Sequence, residues 1–417
     1  MARAQGSSQL GRDYFWNTAA SGMISASSVI MTLLVTRFLG LEAAGLFTVA
    51  YAAGQLLQTL GMYEIRPFHV TDIDHRYEFG DYLASRFVTV GLMAGGITVY
   101  GLVSGNGAGT RATLMLVASL KLFEAFEDVF VSEFQRSGRL DLGARACFWR
   151  MLATTAAFAA GMLVTRSLLW GTVLAVVIAL ATTIGLYLPA IRGLFPLRPE
   201  WNSGRILRLL VDCLPLFLAS FLAMYLAKAP NFAIDRYLDT TAQGYFANIF
   251  MPAMVINLLT LMVFRPLLTS MARHWAEGRT PEFLGVVRKG LVTTLVASLV
   301  AGAAAFAIGV PALNLVTGAD FSNYRTELMV LIAGGAMNAV SVILYYAMAT
   351  MRFQRLIFAG YLMAAAAVTG LCVVLVPAWG LLGACVAYSA AMTVLSAFFA
   401  VPVLTAHRQG ATARPGH

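Results

Sequence analysis

Residues 37–67 read RFLGLEAAGLFTVAYAAGQLLQTLGMYEIRP, and residues 236–266 read RYLDTTAQGYFANIFMPAMVINLLTLMVFRP. Slid by 199 residues without a gap, the two stretches agree at eight of 31 positions. Arg37 falls on Arg236, Leu39 on Leu238, Ala43 on Ala242 and Gly45 on Gly244. Phe47 falls on Phe246, Leu60 on Leu259, Arg66 on Arg265 and Pro67 on Pro266. A composition this rich in apolar residues gives roughly two or three such matches by chance. Two arginines and a proline are among the eight, matches that the apolar bias does not explain. The chain therefore carries an internal duplication.

The repeated unit is apolar. Of 417 residues, 59% are hydrophobic and 12% charged, where a soluble domain is nearer half apolar and a quarter charged. Runs of about 20 apolar residues recur along the whole length, each long enough to cross about 30 Å of hydrocarbon. They place spans at 14–36, 41–62, 82–104, 110–132, 146–165, 167–189, 209–230, 244–268, 287–310, 326–350, 356–377 and 380–404. Barrel strands alternate over about ten residues, so helices are predicted. The expected fold is an all-α integral membrane protein of twelve transmembrane helices in two pseudo-symmetric six-helix lobes. The N-lobe is 1–192, the C-lobe 209–417, and 193–208 a cytoplasmic linker. In the linker, Ser203 is placed to cap a short interfacial helix carrying Arg205 and Arg208. Six spans per half is an even number, so the halves enter the membrane in the same sense, as in transporters whose substrate passes between repeats. The stretch before the first span has no small-residue cleavage site and reads as the start of an uncleaved helix.

Loop charge sets the orientation. With both termini cytoplasmic, 22 of the 29 Lys and Arg fall on the cytoplasmic side, Arg86, Arg136, Arg139, Arg205 and Arg355 among them. Six fall outside (Arg37, Arg111, Arg166, Lys228, Arg236, Arg325), and Lys121 lies within a span. The net charge of +9 is thus topological, and no nucleic-acid motif accompanies it. Cys147, Cys213, Cys372 and Cys385 have no CxxC spacing and read as small buried hydrophobes.

The fourth span holds Lys121, Glu124, Glu127 and Asp128, with Gln135 at its cytoplasmic end. At 100° per residue these five side chains share about a third of the helix circumference. Charge inside a membrane is expensive, so the face meets either an internal salt-bridge cluster or the wall of a wet cavity. The first span carries a softer stripe of Asn17, Ser21, Ser25, Ser28 and Thr32, suited to close packing or to cavity lining. Pro230 is placed to break or bend the seventh span. Gly91 and Gly95 form one GxxxG. No GxxxxGK[ST], HExxH or GxSxG occurs, and the five histidines (His69, His75, His274, His407, His417) lie outside the spans. An enzyme is therefore not expected, and no cofactor or metal is implied.

Several stretches look like a known family. TRFLGLEAAGLFTVAYAAGQLLQTLGMYEIRPFHVTD (36–72), EFGDYLASRF (78–87), FQRSGRLDLGARA (134–146) and LPLFLASFLAMYLAKAPNFAIDRYLDTTAQGYFANIFMPAMVINLL (214–259) resemble Wzx-type polysaccharide repeat-unit flippases. The likeness runs over nearly the whole chain through many loosely specific features. It implies the multidrug/oligosaccharidyl-lipid/polysaccharide exporter superfamily, with two lobes around a central cavity. It also implies an oligosaccharide on undecaprenyl pyrophosphate as cargo, a bacterial cytoplasmic membrane, and a monomer working beside glycosyltransferases and a glycan polymerase. On this reading Arg37, Arg66, Lys121, Lys228, Arg236 and Arg265 meet the anionic head. Glu124 and Asp128 couple an ion, and Asn17, Ser21, Ser25 and Gln135 line the cavity. Two rivals stay open: a small-molecule/drug:cation antiporter of the same superfamily, and a membrane glycan polymerase or ligase.

Overall fold

In hydrocarbon every backbone group must be satisfied within the protein, which favours helices. Every regular element among the described residues is helical. The computed structural model describes residues 2–72, 76–104, 107–264 and 267–409, with side chains from Gln9 onward except at 255, 257–264, 267, 269 and 406–409. The elements are α1 (Ala2–Met62), α2 (Ile65–Thr71), α3 (Phe79–Ser104), α4 (Ala108–Arg136), α5 (Leu140–Thr165), α6 (Leu168–Ile191) and α7 (Ser203–Tyr237). They continue as α8 (Thr240–Phe264), α9 (Leu267–Ala276), α10 (Thr280–Ala304), α11 (Val310–Thr317), α12 (Arg325–Thr350) and α13 (Gln354–Gln409). Among the described residues, eight helical stretches are long and apolar enough to cross a membrane: 9–71, 79–104, 140–165, 168–191, 203–237, 280–317, 322–350 and 354–405. The chain is a multi-pass membrane protein. α4 spans 29 residues but carries too many charges to join that apolar set.

Two of the long stretches are broken by glycine. Gly40 (φ 86°) interrupts α1 and Gly380 (φ 58°) interrupts α13, both in conformations that a side chain disfavours. Both breaks fall where the hydropathy separates neighbouring spans. Thr280-Pro281 opens α10 as its helix-start pattern predicts. All four cysteines are free and buried.

Other expectations are corrected. No separate interfacial helix forms at 193–208, because Ser203 already belongs to the first turn of α7. The cap is Asn202, whose Oδ1 accepts the Arg205 N–H at 3.1 Å. α7 runs unbroken through Pro230, since losing one N–H is tolerated inside a packed membrane helix. α2 lies between the spans expected at 41–62 and 82–104, and α9 straddles the end of the span expected at 244–268; both helices are too short to register as spans. Gly91 and Gly95 have open space where a Cβ would stand, so that GxxxG packs against nothing described.

The chain forms two compact units, 1–224 and 225–417. The first extends past the expected linker and takes in the start of α7. Its hub is α4, which packs on α1, α2, α3, α5 and α6. The hub of the second is α12, packed on α8, α9, α10 and α13. Each hub is closely approached through small residues. A Cβ on Gly54 would lie 2.8 Å from the Ala118 carbonyl oxygen, and one on Gly335 would lie 3.0 Å from that of Ala253. Positions 54 and 253 are 199 residues apart, so the duplicated contact survives in three dimensions. Both hubs also end in the same turn. Gly138 N–H reaches Gln135 and Arg139 N–H reaches Phe134, while Arg352 N–H reaches Ala349 and Phe353 N–H reaches Met348.

Replacing Gly54 with Val forces α1 off α4, an overpacking that costs about 1–3 kcal/mol. Thermal unfolding of the purified protein in detergent should show a lower midpoint for Gly54→Val and an unchanged one for Gly91→Ala. Equal midpoints for Gly54→Val and the parent would refute the close approach.

Candidate functional site

The charged face of α4 lies inside the first unit and is matched group by group. Lys121 Nζ donates to Glu124 Oε1 at 2.6 Å and sits 4.5 Å from the centre of the Tyr51 ring. Gln58 of α1 donates to the other Glu124 oxygen at 3.1 Å. Arg150 of α5 grips Glu127 through Nε and Nη2, both at 2.6 Å, and the Tyr187 hydroxyl of α6 donates to Glu127 at 2.9 Å. Arg86 of α3 donates to Asp128 at 2.7 Å and to the Gly61 carbonyl at 2.7 Å. Arg66 of α2 reaches Asp128 at 3.3 Å and donates to Gln135 Oε1 at 2.8 Å. Further along, Glu133 meets His69 of α2 at 2.6 Å and Arg136 at 2.9 Å.

Burial decides what these pairs mean. Arg86, Lys121 and Arg150 are 1–3% exposed at the side chain, and their carboxylate partners 4–9%. A charge sealed in this way costs several kcal/mol unless it is paired and hydrogen-bonded. Each carboxylate here accepts from at least two donors, and the Arg150–Glu127 fork is the strong bidentate form. Arg66 differs. Its side chain is 38% exposed, and Asp128 is already held more tightly by Arg86. The ion pairs of α4 set five cations (Arg66, Arg86, Lys121, Arg136, Arg150) against four carboxylates (Glu124, Glu127, Asp128, Glu133), His69 aside. Arg66 is the most exposed cation of that set.

Two hollows adjoin Arg66. The smaller, about 110 Å³, is walled by Asn17 and Ser21 of α1, Arg66, the acidic residues Glu124, Glu127 and Asp128, and Cys147 of α5. The larger, about 450 Å³, is lined by Glu64, Arg66, Val70 and Thr71 with Asp128 and Gln135. Met62, Arg66 and Asp128 border both. Glu64 in the larger hollow is engaged by the Ser220 hydroxyl at 2.6 Å. Just beyond α2, Asp72 anchors the chain. Burial works to raise its carboxyl, but the N–H groups of Tyr77 and Arg76, the Tyr82 hydroxyl and the Arg136 charge together hold it below the usual carboxylate range.

Arg66 and Asp128 border both hollows, Asn17, Ser21 and Glu124 the smaller, and Gln135 the larger. Lys121 is locked to Glu124, whose buried charge it compensates, and borders neither hollow. The Ser25 hydroxyl turns back to the Ser21 carbonyl at 3.0 Å, which takes it out of both linings. Arg37 and Arg236 are exposed, Arg236 lying 5.9 Å from the Tyr237 ring, and Lys228 is half-buried. Arg265 lies outside the described residues. The partners Arg86, Arg150, Tyr187, Gln58, Tyr51 and His69 escaped the sequence reading. Arg150 had a signal, because it falls within an expected span and so needs a carboxylate.

No protein-family model matches this chain, and no curated protein matches it. The fold itself has solved counterparts. A multidrug resistance MATE family transporter of the MOP superfamily, in an inward-facing conformation, matches with a TM-score of 0.72 at 12% identity, over 94% of this chain and 96% of that one. The lipid II flippase MurJ, inward closed, matches with a TM-score of 0.70 at 10% identity, over 93% and 87%. A MOP superfamily transporter from Pyrococcus furiosus matches with a TM-score of 0.59 at 14% identity, over 98% and 96%. This chain has the fold of those transporters.

Arg150→Met leaves Glu127 buried without its cation, a loss of about 3–5 kcal/mol. Arg150→Met combined with Glu127→Met removes both charges, and most of that stability should return. Chemical denaturation of the single and double variants measures the difference. A double variant as unstable as the single would show that packing, not charge, dominates at this pair.

Proposed function

We propose that this chain is a flippase that carries undecaprenyl-pyrophosphate-linked oligosaccharide from the inner to the outer leaflet of a bacterial cytoplasmic membrane by alternating access. Both termini face the cytoplasm, and the protein works as a monomer without catalytic chemistry of its own. Glycosyltransferases supply its cargo and a polymerase consumes it. The observation that carries the reading is Arg66, a half-exposed arginine beside two hollows in the α4 ion-pair network, whose other cations are far more buried. A pyrophosphate and its sugars cannot cross hydrocarbon unpaired. A guanidinium held loosely by an already satisfied Asp128 is ready to exchange that carboxylate for a phosphate. The resemblance of the sequence to polysaccharide flippases and the shared transporter fold support the same cargo class.

Arg37, Lys228, Arg236 and Arg265 are proposed as further contacts to the anionic head, and Asp128 with Glu124 as the ion-coupling pair. A second reading, a drug:cation antiporter, is favoured by one feature: three carboxylates wall the smaller hollow. The two readings part on Arg66, which an anionic cargo needs and a cationic one does not.

Arg66→Ala, expressed at parental level in the source cells, should lower surface glycan about tenfold or more, the loss of a charge-assisted contact. Arg66→Lys should recover only part of it, because lysine cannot fork. Normal glycan in Arg66→Ala, with the parent and the variant conferring equal drug resistance, would turn the assignment to the antiporter.

A further inference from the structure

The short helix α2 has features that anion binding does not require. Tyr63 and Glu64, which precede it, are both left-handed (φ 51° and 50°), and neither is glycine. Two such residues in a row store conformational energy and persist only when their surroundings hold them. Here the holders are specific. The Tyr63 ring stacks on Phe217 with centres 4.4 Å apart, and Glu64 takes the Ser220 hydroxyl at 2.6 Å. At the far end, Asp72 accepts the Tyr82 hydroxyl of α3 at 2.9 Å. Seven residues of helix are thus strung between two fixed ends.

Between those ends, α2 touches α4 through one face. Arg66 and His69 are three residues apart, so they point the same way. Arg66 meets Asp128 and Gln135, and His69 meets Glu133. The His69 ring also stacks on Tyr82, 3.9 Å away, and its Nδ1 is buried without a partner. Arg66 stands in the wall that the two hollows share, with Cys147 on the far side of the smaller one. Turning this face away from α4 would join the hollows.

We propose that α2 is a gate between the two hollows, latched to α4 by His69–Glu133 and Arg66–Asp128/Gln135 and rolling between the hinge at Tyr63–Glu64 and the anchor at Asp72. His69 is a positioning residue: it sets the roll of α2 and so aims Arg66. The proposal builds on the role given to Arg66 above but does not need any particular cargo. An anion that draws Arg66 from Asp128 would leave His69–Glu133 as the remaining latch and bias the gate to open.

Cys147 reports the gate directly. The probe is a small water-soluble methanethiosulfonate, applied to the purified full-length protein, with labelling at each cysteine followed by peptide mass spectrometry. Cys385, buried in the second unit, serves as the internal control. His69→Phe keeps the stack on Tyr82 and leaves Glu133 with Arg136, so it opens the latch without stranding a charge. Labelling of Cys147 should accelerate about tenfold or more in His69→Phe, and further when Arg66→Ala is added, with Cys385 unchanged. Equal acceleration at Cys385 would mean general loosening and would overturn the gate. So would an unchanged Cys147 rate in both variants. Neither outcome touches the glycan assay, so the gate and the flippase reading fail separately.

Discussion

Four carboxylates on one helix inside an apolar unit set the terms for the rest of the structure. Glu124, Glu127, Asp128 and Glu133 cannot be buried alone, and water cannot relieve them. Each neighbour of α4 therefore brings a partner: Gln58 and Tyr51 from α1, Arg66 and His69 from α2, Arg86 from α3, Arg150 from α5 and Tyr187 from α6. Apolar packing against lipid-like surfaces discriminates poorly between helix registers. A forked ion pair does discriminate, because a slip of one residue leaves a charge unmatched. The polar face of α4 thus fixes the rotation and height of five other helices.

The second unit shows the same architecture without that constraint. α12 holds Arg325 and Glu327 in its first turn and no charge from there to Thr350. Its hub depends on small residues instead, with Gly334 close to Ser389 and Gly335 close to Ala253. A duplicated ancestor has kept its helix order, its small-residue crossing and its helix-ending turn while the charge has gathered in one copy. That division leaves an electrostatic core around α4 and an apolar, small-residue one around α12.

The apolar helical stretches were legible because length and hydropathy are local properties. The acidic face of α4 was legible too, since helical periodicity alone gathers those residues. Their partners were not. Arg86, Arg150 and Tyr187 meet the acids across separations of 42, 23 and 60 residues, which no local pattern encodes. Arg86 was counted with the loop arginines because charge counting assigns arginines near span ends to the interface, whereas its stem carries it into the core. Spacing alone would also pair Arg136 and Arg139 with Arg352 and Arg355, at a shift of 216. The helix-ending turns instead align Gly138 with Arg352, a shift of 214, so those arginines are not structural counterparts. α2 and α9 escaped because seven to ten residues are too few to show a period.

What turns such a core from scaffold to device is that its charges do not all carry the same load. Arg150 and Glu127 form a closed pair, with two forked bonds and a tyrosine, and no route to a hollow for the arginine. Asp128 is over-supplied, with Arg86 sealed on one oxygen and Arg66 half-exposed on the other. Withdrawing Arg66 leaves Asp128 still paired, so the penalty for moving it is small compared with breaking any other pair in the core. The mobile cation is thus the one whose loss the core tolerates, and it is mounted on the one short helix held by strained backbone. Stability resides in the deep pairs and responsiveness in the shallow one, which lets a single polar face serve both.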